Sequence, residues 1–283
     1  MPQRVRRGTG RAYTLRRMLR TALVSAEVSL PERPEAERVR ERIAVLAEAV
    51  DIVGLTDNHA AQARMSPLAA IALAREQGVA TVVHVSCRDR NRLALRSQIV
   101  GAAALGSEGA LCLQGDPAGP APRVKDMTAT ALIGEARGWA APHDLAVGAV
   151  VNPFAADLDK ELELLERKVA AGAEFLQSQM VFDLDRLAAF LERASSLLAG
   201  VRFYAGVALL RSATMADRAS ALPGVGIPRR SLDRIVAGEG VVLAKELAAE
   251  LAAVPGVDAL HVFPLGAERE TVEVAASFRE RRG

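Results

Sequence analysis

The chain has 283 residues, half of them hydrophobic but only 4% aromatic, and 36 basic against 34 acidic side chains leave a net charge of +2. That length suits one large α/β barrel or two medium domains, with a core filled by Ala, Leu and Val. So small a charge gives no whole-chain case for nucleic acid, and no apolar run reaches the ~18–20 residues of a membrane span, so neither is an expected partner.

Residues 1–20 carry Arg4, Arg6, Arg7, Arg11, Arg16, Arg17 and Arg20 with no acid among them, which reads as a basic N-terminal arm or a short helix. From there strand and helix signals alternate. A strand over 22–29 precedes a helix over 34–49. A strand over 51–55 ends in Thr56-Asp57-Asn58, a loop signature. The next helix runs to Gln77 from Ser66-Pro67, an N-cap followed by Pro at the first helical position. Further strands are expected over 79–85, 110–113, 145–151, 174–178, 202–207 and 257–262. The helices between and after them fall over 90–105, 128–138, 158–171, 185–198, 212–221, 241–253 and 268–281. The Gly- and Pro-containing segment 223–240 reads as a loop with a short helix. Strands alternating with helices imply a parallel sheet, and eight such units match a single (β/α)₈ TIM barrel over 21–283. An open doubly wound sheet would carry a Gly-rich turn after its first strand. Here that strand runs into Val28-Ser29-Leu30-Pro31, with no glycine. Cys87 and Cys112 read as two buried thiols in a reducing compartment, and the expected location is cytoplasmic.

Polar residues gather where strands end: Glu27, Thr56, His84 with Ser86, Gln114-Gly115-Asp116, Asn152, and Gln177 with Gln179. In a β/α barrel those ends open onto one face, where active sites are built. An acid inside an apolar strand is costly to bury unless paired or functional. Burial would raise the pKa of Glu27 and suit it to proton donation; the alternative is a solvent-facing position. Gly115 allows close approach of backbone to a ligand, and Asp116 is either a ligand contact or a turn residue before Pro117. His84 is a core histidine or a ligand contact. Thr56 is a donor to a phosphate or flavin, or a cap. Arg88 and Arg90 oppose the dipole at a helix start, which points to an anionic partner, a diphosphate or an acidic side chain. Arg167 and Lys168 near a helix C-terminal half are favourable without any ligand. The four histidines are scattered, nothing has metal-ligand spacing, and no metal is expected.

With these residues assembled, the chain resembles the 5,10-methylenetetrahydrofolate reductase family from about Val24 to Ala276. The resemblance rests on Ser25-Ala26-Glu27-Val28-Ser29-Leu30-Pro31, Leu55-Thr56-Asp57-Asn58, Arg64-Met65-Ser66-Pro67-Leu68, and His84-Val85-Ser86-Cys87-Arg88-Asp89-Arg90-Asn91. It continues through Gln114-Gly115-Asp116-Pro117, Lys168-Val169-Ala170-Ala171-Gly172-Ala173, Gln177-Ser178-Gln179-Met180 and Leu210-Arg211-Ser212-Ala213. It implies a (β/α)₈ barrel with FAD at the C-terminal face, and a hydride relay from NAD(P)H through FAD to the one-carbon unit of the folate substrate. By motif position, Glu27 would be the general acid that helps open the five-membered ring of methylenetetrahydrofolate. Asp116 would contact the pterin beside the flavin, and Gln179 would hold the folate ring. Thr56, His84, Gln114, Gly115, Glu161, Arg167 and Lys168 fall where the family contacts FAD. The chain departs from better-known bacterial members in having Gln114 for Arg, Leu164 for Asn and Glu161 for Asp, and no aromatic residue near 210–213. These departures leave open a flavin-independent reductase, one fed electrons by a partner subunit, and a non-catalytic folate-binding paralogue. The resemblance does not decide whether the chain forms a homo-oligomer.

Overall fold

The computed structural model describes residues 21–116, 122–222 and 224–283, and the expected basic arm at 1–20 lies outside the described residues. Among the described residues, eight parallel strands close into a barrel in chain order. They are β1 (Val24–Val28), β2 (Ile52–Leu55), β3 (Ala80–Ser86), β4 (Gly109–Leu113), β5 (Ala146–Val151), β6 (Phe175–Met180), β7 (Arg202–Ala208) and β8 (Ala259–Phe263). The helices are α1 (Ala36–Ala47), α2 (Pro67–Glu76), α3 (Arg92–Ala104), α4 (Ala129–Ala140), α5 (Leu158–Ala170), α6 (Leu184–Ala194), α7 (Ala213–Ser220), α8 (Arg229–Val236), α9 (Gly240–Leu251) and α10 (Glu268–Arg282). The expected single (β/α)₈ barrel is therefore the observed architecture. The irregular segment after α7 holds one short helix, α8, as its composition implies. No described helix is long and apolar enough to cross a membrane.

Local chemistry sets the element ends. Ser66, Asn91, Thr128, Asp157, Asp183 and Ser212 each accept a hydrogen bond from a backbone N–H of the helix they open, which satisfies donors a helix start leaves orphaned. In α6, Leu187, Phe190, Leu191 and Ala194 are buried at helical spacing, the stripe that seats a helix on a sheet. Strand alternation divides the apolar side chains in two. Val24, Ala26 and Val28 of β1 face the helices in the main core. Ile52, Val82, Leu111, Ala146, Phe175, Tyr204 and Ala259 fill the barrel's N-terminal half.

Two of the few aromatic residues close that floor, Phe175 and Tyr204 meeting edge to face with centroids 6.1 Å apart. A Cβ at Gly148 would lie 2.2 Å from Phe175 Cζ, so glycine makes room for the ring. Above the floor the lining turns polar, with Ser25, Gly54, His84, Gln177 and His261 around a void of only about 20 Å³.

The ends of β2 and β3 are latched together. The carboxylate of Asp57, its side chain 0% exposed, accepts two hydrogen bonds from Arg90, at 2.6 and 2.9 Å, and a third from the backbone N–H of Ser86 at 2.8 Å. The anionic partner of Arg90 is thus an acidic side chain of the protein. Turning Arg90 toward Asp57 also delays the helix: α3 starts at Arg92, capped by Asn91, rather than at 90. Asp57→Ala leaves a guanidinium beside a buried edge without its counter-charge. The expected cost is about 3 kcal/mol, the low end for breaking a buried pair, because Arg90 keeps 18% exposure. Urea unfolding should show a lower midpoint at unchanged slope; an unmoved midpoint would show that the latch is not structural.

Candidate active site

At the C-terminal mouth of the barrel lies a cleft of about 870 Å³. Its walls include Glu27, His84, Gln114, Gly115, Asp116, Asn152, Glu161, Arg167, Lys168, Gln177, Gln179 and Phe263. The closed barrel gathers residues up to 236 positions apart in sequence (Glu27 and Phe263) into one wall. Every site residue expected from sequence is in this lining except Thr56. Its hydroxyl joins two strand ends, accepting from Leu30 N–H at 3.1 Å and donating to the Val28 carbonyl at 3.2 Å. Neither bond is the cap on the following segment that the sequence alternative expects. A larger hollow, about 1030 Å³, opens at the opposite end around Leu191, Val201, Arg202, Pro255 and Asp258. There Asp258 accepts the Phe203 N–H and Arg202 donates to the Ala22 carbonyl, so these charges serve the scaffold, and the cleft at the mouth is the candidate site.

Glu27 points into the barrel. Burial pushes its carboxyl up to about 7, opposed only in part by the charge of Arg42. A carboxyl so placed holds a proton at neutral pH in a substantial fraction of molecules. Across the β1–β8 pairing, Ser25 is level with His261. His261 Nδ1 is 2.9 Å from Ser25 Oγ, and its Nε2 stands 4.0 Å from Glu27 Oε2. Burial holds His261 down to about 3, with the field of His84 adding to it. His84 is in turn held down to about 4 by burial, then by His59. Both imidazoles are held below their usual range, so neither histidine adds a cation beside Glu27 at pH 7. The Nε2 atoms of His84 and His261 are buried without a hydrogen-bond partner. A Cβ at Gly54 would lie 3.3 Å from His84 Nε2 and 3.6 Å from Glu27 Cβ, so glycine there keeps acid and imidazole adjacent.

Asp116 is held from two sides. Its carbonyl accepts from Arg88 Nε at 2.9 Å and its carboxylate from Ala60 N–H at 2.6 Å. Arg88 also pairs with Asp89. Both arginines that oppose the helix dipole thus find acidic or carbonyl partners inside the protein. Gly115 has φ +85°, and a Cβ there would fall 2.2 Å from Ser86 Oγ and 2.6 Å from Arg88 Cβ. No other residue permits this turn, and the turn delivers the Asp116 carboxylate to the cleft rim. The partner loop carries Ala60 and Ala61 at positive φ, a conformation that costs alanine roughly 1–2 kcal/mol per residue; the bond to Asp116 helps to hold it.

Gln179 sits within an irregularity of β6. The pairing with β7 shifts between Gln177 and Met180, and Ser178 Oγ there accepts Gly206 N–H at 2.9 Å. The shift extends β6 to Met180, beyond the expected end at 178, and leaves Gln177 and Gln179 both in the cleft wall. On the far wall Gln114 Oε1 accepts the Ala129 N–H at the start of α4, 3.1 Å away. Glu161 Oε1 accepts Asn152 N–H at 3.0 Å. Lys168 is buried, donates to the Val150 carbonyl at 2.7 Å, and has its pKa lowered by burial against the pull of Glu161. Arg167 is exposed on the rim and makes no ion pair among the described residues. Among those residues no group of three or more His, Cys, Asp or Glu is placed to hold a metal. Cys87 and Cys112 are free and buried, and burial pushes Cys87 up to about 11.

Sequence reasoning misses Ser25, His261 and Phe263. Ala259, His261 and Phe263 alternate on one face of the last strand, which is the available signal. Their place beside Glu27 depends on the β8–β1 closure, which no local pattern announces. Phe263 meets His261 edge to face at 4.7 Å and is the aromatic residue of the cleft wall, on β8 rather than near 210–213. There, Gly240 instead packs against the chain: a Cβ on it would lie 1.8 Å from the Leu210 carbonyl.

The fold has known counterparts. A protein from Clostridium thermocellum that binds two copies of 5-methyl-5,6,7,8-tetrahydrofolic acid superposes with a TM-score of 0.70 at 13% identity, over 95% of this chain and 99% of that one. Tryptophan synthase from M. tuberculosis superposes with a TM-score of 0.55 at 16% identity, over 93% and 95% of the two chains. At such identities both show the fold alone. Methylenetetrahydrofolate reductase 1 of Schizosaccharomyces pombe is 22% identical over 207 residues, 68% of this chain and 34% of its own length. The chain thus spans about a third of that relative. The family model for methylenetetrahydrofolate reductase matches residues 14–278, and the chain belongs to the methylenetetrahydrofolate reductase family.

Proposed function

We propose that the chain reduces 5,10-methylenetetrahydrofolate to 5-methyltetrahydrofolate, with hydride drawn from NADH or NADPH by way of FAD. The observation that carries this reading is Glu27, a buried carboxyl with a pKa near 7 in the wall of a cleft that also holds Asp116 and Gln179. The substrate's five-membered ring opens when its N10 nitrogen leaves as an amine, and that departure needs a proton. Glu27 holds one at neutral pH and is placed to give it. Loss of the proton turns Glu27 into a carboxylate that faces the cationic iminium left on N5. Asp116 accepts hydrogen bonds from the N–H groups of a pterin edge, and the Gln179 amide can both donate to the ring and accept from it.

The volume of the cleft, with a helix start and Arg167 in its wall, supports a flavin. The cleft's volume is in the upper part of the range for small-molecule sites. The start of α4 borders it through Thr128 and Ala129, and the N-terminal end of a helix favours phosphate. Arg167 supplies a positive charge not spent inside the protein. The orphaned Nε2 of His84 is available to a polar ring atom. His84, Gly115, Arg167 and Lys168 would hold the group, with Gln114 and Glu161 shaping the wall. Bound FAD would take hydride from the nicotinamide and deliver it to the methylene carbon. One observation favours a second reading, reduction without flavin: Thr56, Gln114, Glu161 and Lys168 already have partners inside the protein.

The deciding experiment is the visible spectrum of the purified protein with FAD, before and after anaerobic NADH or NADPH, followed by turnover with methylenetetrahydrofolate. A flavin band bleached by one nucleotide and restored by the folate supports the relay. A band that neither nucleotide bleaches assigns the donor role to a partner protein. Turnover with no flavin bound supports the second reading, and absence of turnover refutes the proposal.

Glu27→Gln should lower folate reduction by about 10²–10⁴-fold, the usual worth of a general acid, while reduction of the flavin by the nucleotide continues. Equal loss of both half-reactions would sink the assignment. In the wild type, folate reduction should fall as pH rises through about 7, where Glu27 gives up its proton, and Glu27→Gln should flatten that limb. Asp116→Asn should weaken folate binding by about ten-fold, through loss of one charge-assisted hydrogen bond; equilibrium titration that finds no change would remove Asp116 from the site.

A further inference from the structure

The loop after β2 carries backbone strain beside the cleft. Asn58, Ala60 and Ala61 have φ of 43°, 56° and 53°, and alanine adopts this left-handed geometry only where its surroundings enforce it. Two polar atoms of the same stretch, His59 Nδ1 and Arg64 Nε, are buried with no hydrogen-bond partner among the described residues. Unpaired buried groups of this kind are costly. The loop is anchored at both ends. Asp57 is held by Arg90, and the Met65 N–H donates to the Pro31 carbonyl at 2.7 Å. Between these anchors Asn58 Oδ1 accepts the Arg64 N–H at 3.0 Å, a bond within the loop itself. A further bond reaches the cleft wall: the Ala60 N–H donates to Asp116 Oδ2 at 2.6 Å. The Asp116 carbonyl is held separately by Arg88, so the carboxylate can change partner while its backbone stays in place.

We propose that loop 58–61 is a clasp on the folate site, closed on Asp116 in the empty enzyme and released when a pterin takes that carboxylate. The inference rests on the proposed folate substrate and adds a conformational step to its binding. A pterin edge presents two N–H donors side by side, which match the two oxygens of one carboxylate. Oδ2 is already engaged by Ala60 in a short bond, so the second donor of the pterin displaces Ala60. Loss of that bond removes what offsets the left-handed geometry of Ala60 and Ala61. The loop then relaxes to a conformation in which His59 Nδ1 and Arg64 Nε gain partners, in protein or water. Strain in the closed loop offsets part of the strength of its bond to Asp116, which keeps the clasp easy to open. The apparent affinity for folate scales with the fraction of molecules whose clasp is open.

The test is calorimetric titration of the full chain with 5-methyltetrahydrofolate, in the wild type and in two variants that push the clasp in opposite directions. Ala61→Gly removes the steric cost of positive φ and favours the closed clasp, so it should weaken binding by about three-fold. Ala60→Pro removes the N–H donor and forbids positive φ, so it should tighten binding by about three-fold or more. Glycine adds no atom and only widens backbone freedom, so Ala61→Gly carries the test if Ala60→Pro does not fold. A loop that merely aims Asp116 gives the reverse signs, with glycine neutral or better and proline worse. Those signs, or unchanged affinity in both variants, overturn the clasp and leave the folate reading standing. Hydrogen exchange supplies a second readout. Amides of residues 58–64 should exchange faster in the wild type with 5-methyltetrahydrofolate bound than without it, and slower or unchanged exchange overturns the clasp as well. Folate that binds to no form of the protein overturns the folate reading, and the inference with it.

Discussion

The arrangement of the mouth depends on the ion pair between Asp57 and Arg90, because it begins a ring of hydrogen bonds across three strand ends. Asp57 grips Arg90 and the Ser86 backbone, which fixes the end of β3 to the end of β2. Two residues past Ser86, Arg88 holds the Asp116 carbonyl and so fixes the end of β4. The Asp116 carboxylate then returns to Ala60, three residues after Asp57. Each member is oriented by the next, so the carboxylate at the rim is set by a scaffold rather than by a free loop. Networks of this kind are worth more than their separate pairs when every group is satisfied.

The interior of the barrel follows a second constraint, removal of water. Glu27, His84 and His261 share one small space, and desolvation drives all three toward their neutral forms, the acid upward and the imidazoles downward. A protonated imidazole beside Glu27 would have ionised it and ended its use as a proton donor. Neutral histidines instead offer polar surface without charge. Gly54 and Ser25 complete the arrangement, one by having no side chain and the other by occupying His261 Nδ1.

Much of this was legible in the sequence because barrel architecture is local. Each strand and helix declares itself by its own period, and the cap Ser66 marks where one helix begins. The acid in β1 and the Gly-Asp pair after β4 are visible for the same reason: a polar residue at a strand tip is conspicuous against an apolar run. What stayed hidden depends on register between distant segments. The pairing of His261 with Ser25 needs the last strand to close on the first. The shift in β6 depends on a hydroxyl meeting a backbone N–H of β7. The partner of Arg90 could be read only as anionic, since the choice between a ligand and Asp57 is made by folding. Thr56 shows the reverse case, a family position whose side chain the fold uses to join strands.

The floor formed by Phe175, Tyr204 and Gly148 has a bearing on traffic through the molecule. With that end plugged, the described residues leave the barrel interior open toward the C-terminal mouth, the doorway that any ligand of the cleft would share. A spent molecule must leave by the route its successor will take, and two ligands competing for the same face of a third must take turns.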